Sequence, residues 1–127
     1  MSQISKNFTR EEATCRCGCG KVVLVDSVIE LIQNIRNEYG SSILINRWYS
    51  CPEHNKEVGG ASSSFHILGL AVDLRPGDGD LKELYLVCEK AEPNGLGIYP
   101  EKKFIHIDLG TRIQRWIYRK GTYWYAF

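Results

Sequence analysis

Ser64-Phe65-His66-Ile67-Leu68-Gly69-Leu70-Ala71-Val72-Asp73-Leu74 is the stretch on which the reading of this chain turns. Leu70 to Leu74 is β-prone and runs into a Pro76-Gly77 turn. Side chains two apart on a strand share a face, so Ala71 and Asp73 point one way and Val72 and Leu74 the other. A carboxylate between two aliphatic neighbours is costly to bury unpaired, and a nearby cation removes that cost. Gly69 permits a bend that returns His66 over Asp73, and Ala71 is small enough to leave room for an ion.

The same alternation governs Phe104-Ile105-His106-Ile107-Asp108. Ile105 and Ile107 make an apolar face, and Phe104, His106 and Asp108 share the other. The chain has three histidines, and two of them therefore stand beside carboxylates. Two imidazoles and one carboxylate around an open position form the ligand set of a catalytic zinc, whereas closed structural sites more often use four Cys or His ligands. Spacing alone leaves two readings open, a metal at His66, Asp73 and His106 or a satisfied His–Asp pair with none.

Outward from these strands, Asp26 suits an N-cap for a helix to Tyr39 with Gly40 after it, and Val28, Ile32, Ile35 and Tyr39 form its apolar stripe. Ile43 to Ile45 is a short β-prone run. Pro52 opens a brief helix through Val58, ended by Gly59-Gly60. Asp80 caps a second long helix that turns Leu84, Val87, Cys88 and Ala91 inward, before Pro93-Asn94-Gly95 breaks the chain. Leu96 to Tyr99 and Phe104 to Leu109 read as strands, and Arg112 to Phe127 as a hairpin turning at Lys120-Gly121. Helices come early and strands late, which predicts one α+β domain over residues 1–127 with a mainly antiparallel sheet.

A chain of 127 residues with 43% hydrophobic and 24% charged residues fits a modest single core. Sixteen basic and fifteen acidic residues leave a net charge of +1, so no long-range field draws it to nucleic acid or anionic lipid. No apolar run approaches the roughly 20 residues that cross a bilayer. Met1 to Thr14 is polar with no signal-peptide core, which predicts cytoplasmic synthesis and retention unless another route exports the chain.

Cysteines stand at 15, 17, 19, 51 and 88, an odd number that argues against a secreted disulfide framework. Cys88 reads as a small buried hydrophobe. Cys15, Cys17 and Cys19 lie close enough to join Cys51 around a structural zinc, but their spacing is not the repeated C-x₂₋₄-C of such sites. A redox-labile loop or inert thiols is the preferred reading there.

The run Cys51-Pro52-Glu53-His54-Asn55-Lys56-Glu57-Val58-Gly59-Gly60, continued by Ser64-x-His66-x-x-Gly69-x-Ala71-x-Asp73, resembles the zinc D-Ala-D-Ala carboxypeptidase and murein endopeptidase family, which shares its fold with the hedgehog signalling domain. Gly95-Leu96-Gly97-Ile98-Tyr99-Pro100, Phe104 to Gly110 and Arg115-Trp116 resemble that family's second signature. The resemblance implies zinc held by His66, Asp73 and His106. It implies metal-assisted hydrolysis of peptidoglycan stem peptides or muropeptides, next to a D-amino acid, by a carboxypeptidase or an endopeptidase. Without a signal peptide, it also implies a phage-encoded enzyme released to the wall, or one that recycles wall peptides.

The chain departs from that pattern in two places. Relatives place a carboxylate three residues before the last ligand, where this chain has Lys103. Asp108 is the first candidate for the general base and Glu101 the second, while Asp108 serves equally well as the partner that orients a ligand imidazole. Ser50 stands where relatives carry a substrate-clamping arginine, and Arg47, three residues earlier, is the candidate to fill the same pocket. Its failure to do so would favour an endopeptidase. Ser64 and Tyr99 are the other candidate substrate contacts, and His54 reads as structural or as a support behind the ligands rather than a ligand itself. The aromatics Trp48, Tyr49, Tyr99, Trp116, Tyr123 and Trp124 either floor a groove or pack under the late strands. Lys103 and Ser50 also sustain an alternative, a zinc-containing wall-binding module that has lost catalysis.

Overall fold

In the computed structural model, which describes residues 2–61 and 64–125, the strands form one six-stranded sheet of order β1-β2-β4-β3-β5-β6. They are β1 (Ile43–Arg47), β2 (Ala71–Pro76), β3 (Gly95–Tyr99), β4 (Phe104–Asp108), β5 (Gln114–Arg119) and β6 (Thr122–Tyr125). Every pairing is antiparallel except β3 with β5. The helices are α1 (Arg10–Ala13), α2 (Asp26–Tyr39), α3 (Pro52–Glu57) and α4 (Leu81–Lys90). The architecture is α+β with a mainly antiparallel sheet, as the order of elements predicts.

Strand alternation gives the sheet two unlike faces. Val72 and Leu74 of β2, Leu96 of β3 and Ile105 and Ile107 of β4 are buried in one core with Val28, Ile32 and Ile35 of α2 and Leu84 and Cys88 of α4. Burial in that apolar setting pushes the Cys88 thiol up to about 12, so it packs as a neutral hydrophobe. α4 lies against β2, β3 and β4, with α2 beside it. The opposite face carries Asp73, His106 and Asp108, which the register sets on adjacent strands: Asp73 opposes His106, and Ala71 opposes Asp108.

Local chemistry explains most element ends. Gly40 closes α2 in the left-handed conformation at φ 75°. Asp80 caps α4, its side chain accepting from the Glu83 N–H. The β5–β6 turn sets Lys120 and Gly121 at φ 52° and 77°, the two positive values that a tight two-residue hairpin requires.

Three details differ from the sequence reading. Asp26 is the first residue of α2 rather than its cap; Val25 holds the cap position without a side-chain bond, and Asp26 acts on the helix dipole instead. β2 continues to Pro76, which pairs with Ile43, so the turn starts one residue later. The sequence reading also omits α1, although Thr9 and Glu12 form a full capping box there. Ser62 and Ser63 of the polar loop, and Ala126 and Phe127 at the end of the hairpin, lie outside the described residues.

Candidate metal centre

His66, Asp73 and His106 each offer a ligand atom within 4.8 Å of the others. Asp73 Oδ1 is the common point, 3.3 Å from His66 Nε2 and 2.9 Å from His106 Nδ1. The ring nitrogens that face away from Asp73 are both tethered. His66 Nδ1 lies 2.7 Å from the Trp48 carbonyl oxygen, and His106 Nε2 lies 2.8 Å from Asp108 Oδ2. A tether on the far nitrogen fixes the ring plane and the tautomer, and leaves the near nitrogen aimed at the shared point. The donor set therefore fits a zinc ion, with two imidazoles and one carboxylate converging and both rings held from behind.

The backbone explains why these groups meet. Gly69 sits at φ 73°, and a Cβ there would press on the Val23 carbonyl, so the bend that brings His66 back is reserved for glycine on two counts. His66 is buried and its carbonyl accepts the Ser50 N–H at 3.2 Å. On β3, Gly95 opposes Asp108 and Gly97 opposes His106. A Cβ at Gly95 would strike the Asp108 carboxylate, and one at Gly97 would strike the Trp116 indole. The glycines thus make room for an acid and an aromatic that frame His106. The Trp116 ring lies 5.4 Å from that of His106 and donates its Nε1–H to the Tyr99 hydroxyl at 3.1 Å.

The electrostatics follow from these contacts. Burial alone would raise the Asp73 carboxyl, but the hydrogen bonds and charges of His106 and His66 outweigh it and hold Asp73 well below the usual range. Burial alone would lower His106, but Asp108 and Asp73 on either side lift it to about 9. Without a metal this ring is an imidazolium at neutral pH, donating from both nitrogens.

Arg47 reaches the same cleft through a bulge. The register shifts between Ile45 and Arg47, so Arg47 rather than Asn46 opposes Asp73. Strict alternation would have turned Arg47 toward the apolar face, and the extra residue re-aims it. Its Nε donates to Ser50 Oγ at 2.7 Å and its Nη2 to Asn55 Oδ1 at 2.6 Å. Asn55 is buried within α3 and donates in turn to the Ala61 carbonyl. The guanidinium thus sits against the residue that replaces the expected arginine.

The cleft in front of His66, Asp73 and His106 has a volume of about 530 Å³, and Arg47, Ser64, Tyr99 and Trp116 line its walls. Ser64 Oγ also accepts the His66 N–H at 3.2 Å. Both oxygens of Asp108 are engaged, Oδ2 with His106 and Oδ1 with the Gly110 N–H at 2.9 Å. Glu101 is not brought to the cleft: its carboxylate accepts the Lys120 N–H at 2.7 Å and serves the β5–β6 turn. His54 lies on α3 outside the cleft lining. The sequence reading missed the Trp48 carbonyl, which has no side-chain signature, and the bond from Arg47 to Asn55, which only the bulge makes possible.

The profile of the Peptidase M15 family matches residues 6–108, a span that takes in α1 through β4 and every residue of the convergent triad. The chain belongs to the peptidase M15 family. Over 58 residues it is also 36% identical to the probable peptidoglycan L,D-endopeptidase MepK of Haemophilus influenzae. That alignment covers 46% of this chain and 31% of the relative.

Proposed function

We propose that this chain is a zinc-dependent peptidase that cleaves D-amino-acid-containing peptides of bacterial peptidoglycan, as stem peptides or cross-links. The observation that carries this reading is the pair of imidazoles tethered on their far nitrogens, with their near nitrogens turned to one oxygen of Asp73. His66, Asp73 and His106 would hold the ion. When bound, zinc supplies a Lewis acid that polarises a scissile carbonyl and acidifies water. Family membership supports peptide hydrolysis, and the likeness to a probable peptidoglycan endopeptidase supports the wall as substrate.

The chain's own residues then divide the remaining work. The Trp48 carbonyl orients His66, and Asp108 orients His106 while lending negative charge to that ring. Arg47, fixed by Ser50 and Asn55, faces the cleft as the cation for a substrate carboxylate. The Tyr99 hydroxyl, pinned by Trp116, and Ser64 supply polar contacts along the wall. Among the described residues that line the cleft, the carboxylates are Asp73 and Asp108. Asp108 is therefore the one acid beside the ligand set to which proton transfer could fall, and its engaged oxygens favour the orienting role. A phage-encoded enzyme released to the cell wall is the cellular context proposed.

The test is to incubate purified protein with muropeptides, with and without a chelator, and to identify products by mass. Cleavage that the chelator abolishes and zinc restores is expected. Binding of muropeptides by the zinc-loaded protein without any cleavage would overturn the enzyme and leave a wall-binding module.

A further inference from the structure

The structure gathers a second ligand set away from the cleft. The sulfurs of Cys15, Cys17, Cys19 and Cys51 all lie within 4.8 Å of one another. Cys15 Sγ is 3.5 Å from Cys17 Sγ, and Cys17 Sγ is 3.7 Å from Cys51 Sγ. These are free thiols, far outside the roughly 2.05 Å of a disulfide bond. The separations instead approach the edge of a tetrahedron of sulfurs around zinc, about 3.8 Å for a Zn–S distance of about 2.3 Å. We propose that Cys15, Cys17, Cys19 and Cys51 form a closed tetrathiolate site for a second, structural zinc ion.

The backbone is built around these sulfurs. The Cys15 N–H donates to the Lys21 carbonyl at 3.0 Å, closing the loop that carries three of the four thiols. Gly18 and Gly20 stand at φ 86° and 77° inside that loop, left-handed positions that fold it back on itself. Backbone N–H groups point at three of the sulfurs: Cys51 to Cys15 at 3.3 Å, His54 to Cys51 at 3.4 Å and Lys21 to Cys19 at 3.4 Å. Such donors stabilise the thiolate form that ligates a metal. The thiols at 17 and 19 are exposed, whereas Cys15 and Cys51 are buried with Tyr49 in a small cluster apart from the main core. The explanation that suffices for Cys88, packing as a hydrophobe, fails for the exposed pair. Four soft thiolates in tetrahedral reach select zinc, and each thiol releases its proton on ligation with no change of oxidation state.

The ion would staple the N-terminal loop to the segment that positions His66. Tyr49 N–H donates to the Ala13 carbonyl at 3.2 Å, Ser50 N–H donates to the His66 carbonyl, and Trp48 supplies the carbonyl that orients the His66 ring. Cys51 ends this segment and caps α3, whose Asn55 holds Arg47. The tetrathiolate thus braces both the ligand His66 and the arginine of the cleft from behind.

The test uses the full chain, purified reduced and reconstituted with zinc. Elemental analysis is expected to find two zinc ions per chain, falling to one in Cys17→Ser and to one in His66→Ala. Cobalt loading separates the two losses: the sulfur-to-cobalt charge-transfer absorption persists in His66→Ala and disappears in Cys17→Ser. Should Cys17→Ser fail to fold, the wild-type protein carries the test through a thiol-reactive probe. Exposed Cys17 and Cys19 are expected to be shielded in the zinc-loaded form and to react once a chelator is added. One zinc per wild-type chain with Cys17 and Cys19 freely reactive, a disulfide among the four in the isolated protein, or iron in place of zinc would each overturn the proposal. The His66→Ala arm keeps this outcome distinct from any failure of the peptidase reading.

Discussion

Replacing Asp108 with asparagine separates orientation from proton transfer at the one acid that both roles share. Asp108 Oδ2 accepts the His106 Nε2–H at 2.8 Å, and Oδ1 accepts the Gly110 N–H. An amide has one oxygen and cannot serve both donors, so one buried partner loses its acceptor at a cost of about 1–3 kcal/mol in stability. If the amide oxygen stays with His106, a charge-assisted bond becomes a neutral one, a change of about 1 kcal/mol or roughly fivefold. Partners that orient ligand imidazoles change metal affinity by about 10–100-fold when altered. Loss of a general base instead lowers turnover by about 10²–10⁴-fold. The assay is therefore sequential: a zinc titration of Asp108→Asn, then turnover of a muropeptide at saturating zinc. The expected result is weaker zinc binding by about five- to a hundredfold, with turnover at saturation reduced by no more than about tenfold. Unchanged zinc affinity with turnover down a hundredfold or more would refute the orienting role and make Asp108 the base.

Zinc uptake should release a proton from His106, because Asp73 and Asp108 lift that ring to about 9 and its Nδ1 must be free to ligate. Affinity is then expected to climb with pH up to about 9 and to flatten above it; calorimetry in buffers of different ionisation heat checks this, and a pH-independent affinity between 7 and 9 would contradict it. In the metal-free protein the same shift runs the other way. His106 is raised above its unfolded value of about 6.5, so its contribution to stability is complete below that pH and is lost as pH rises through about 9, visible as a falling denaturation midpoint. Gly97→Ala drives a methyl group into the Trp116 indole beside His106, and a loss of about 1–3 kcal/mol in chemical denaturation is expected, with Trp116 fluorescence altered. Arg47→Ala removes a cation that faces the cleft, beside Lys102, and strands the Asn55 side-chain oxygen; KM for a carboxylate-bearing muropeptide should rise at least tenfold while zinc stoichiometry stays unchanged.

The parts of the molecule that were legible in the sequence are those governed by a period. Alternation in Ala71 to Leu74 and in Phe104 to Asp108 separates core from cleft residues without reference to any other strand, because one face must be apolar. The stripes of α2 and α4 follow from helical spacing in the same way. What a period cannot show is an exception to it. The bulge before Arg47 inverts the direction of that side chain, and no residue type at 45–47 announces it. The Trp48 carbonyl that orients His66 is equally silent, since every residue carries one. The cap at Thr9 is a different kind of omission: Thr9 and Glu12 stand at the spacing of a capping box, and the signal was available.

The cysteines show why local spacing underdetermines a site assembled across the chain. Cys15, Cys17 and Cys19 lack the paired spacing of familiar zinc loops, so their sequence alone favours a redox-labile loop or inert thiols. The loop closes onto itself through the glycines at 18 and 20, and the fourth sulfur arrives from the cap of α3, more than thirty residues along. Its arrival there depends on the 48–51 segment, whose first carbonyl is spent on His66. The two ligand sets are therefore not independent features of the sequence: a shift in that segment would move Cys51 and the Trp48 carbonyl together. Coupling through one short stretch of backbone would give the proposed closed set a reason to exist beside the proposed open one. Precise placement of a ligand imidazole demands a support that does not drift, and a small domain has little core to spare for the task.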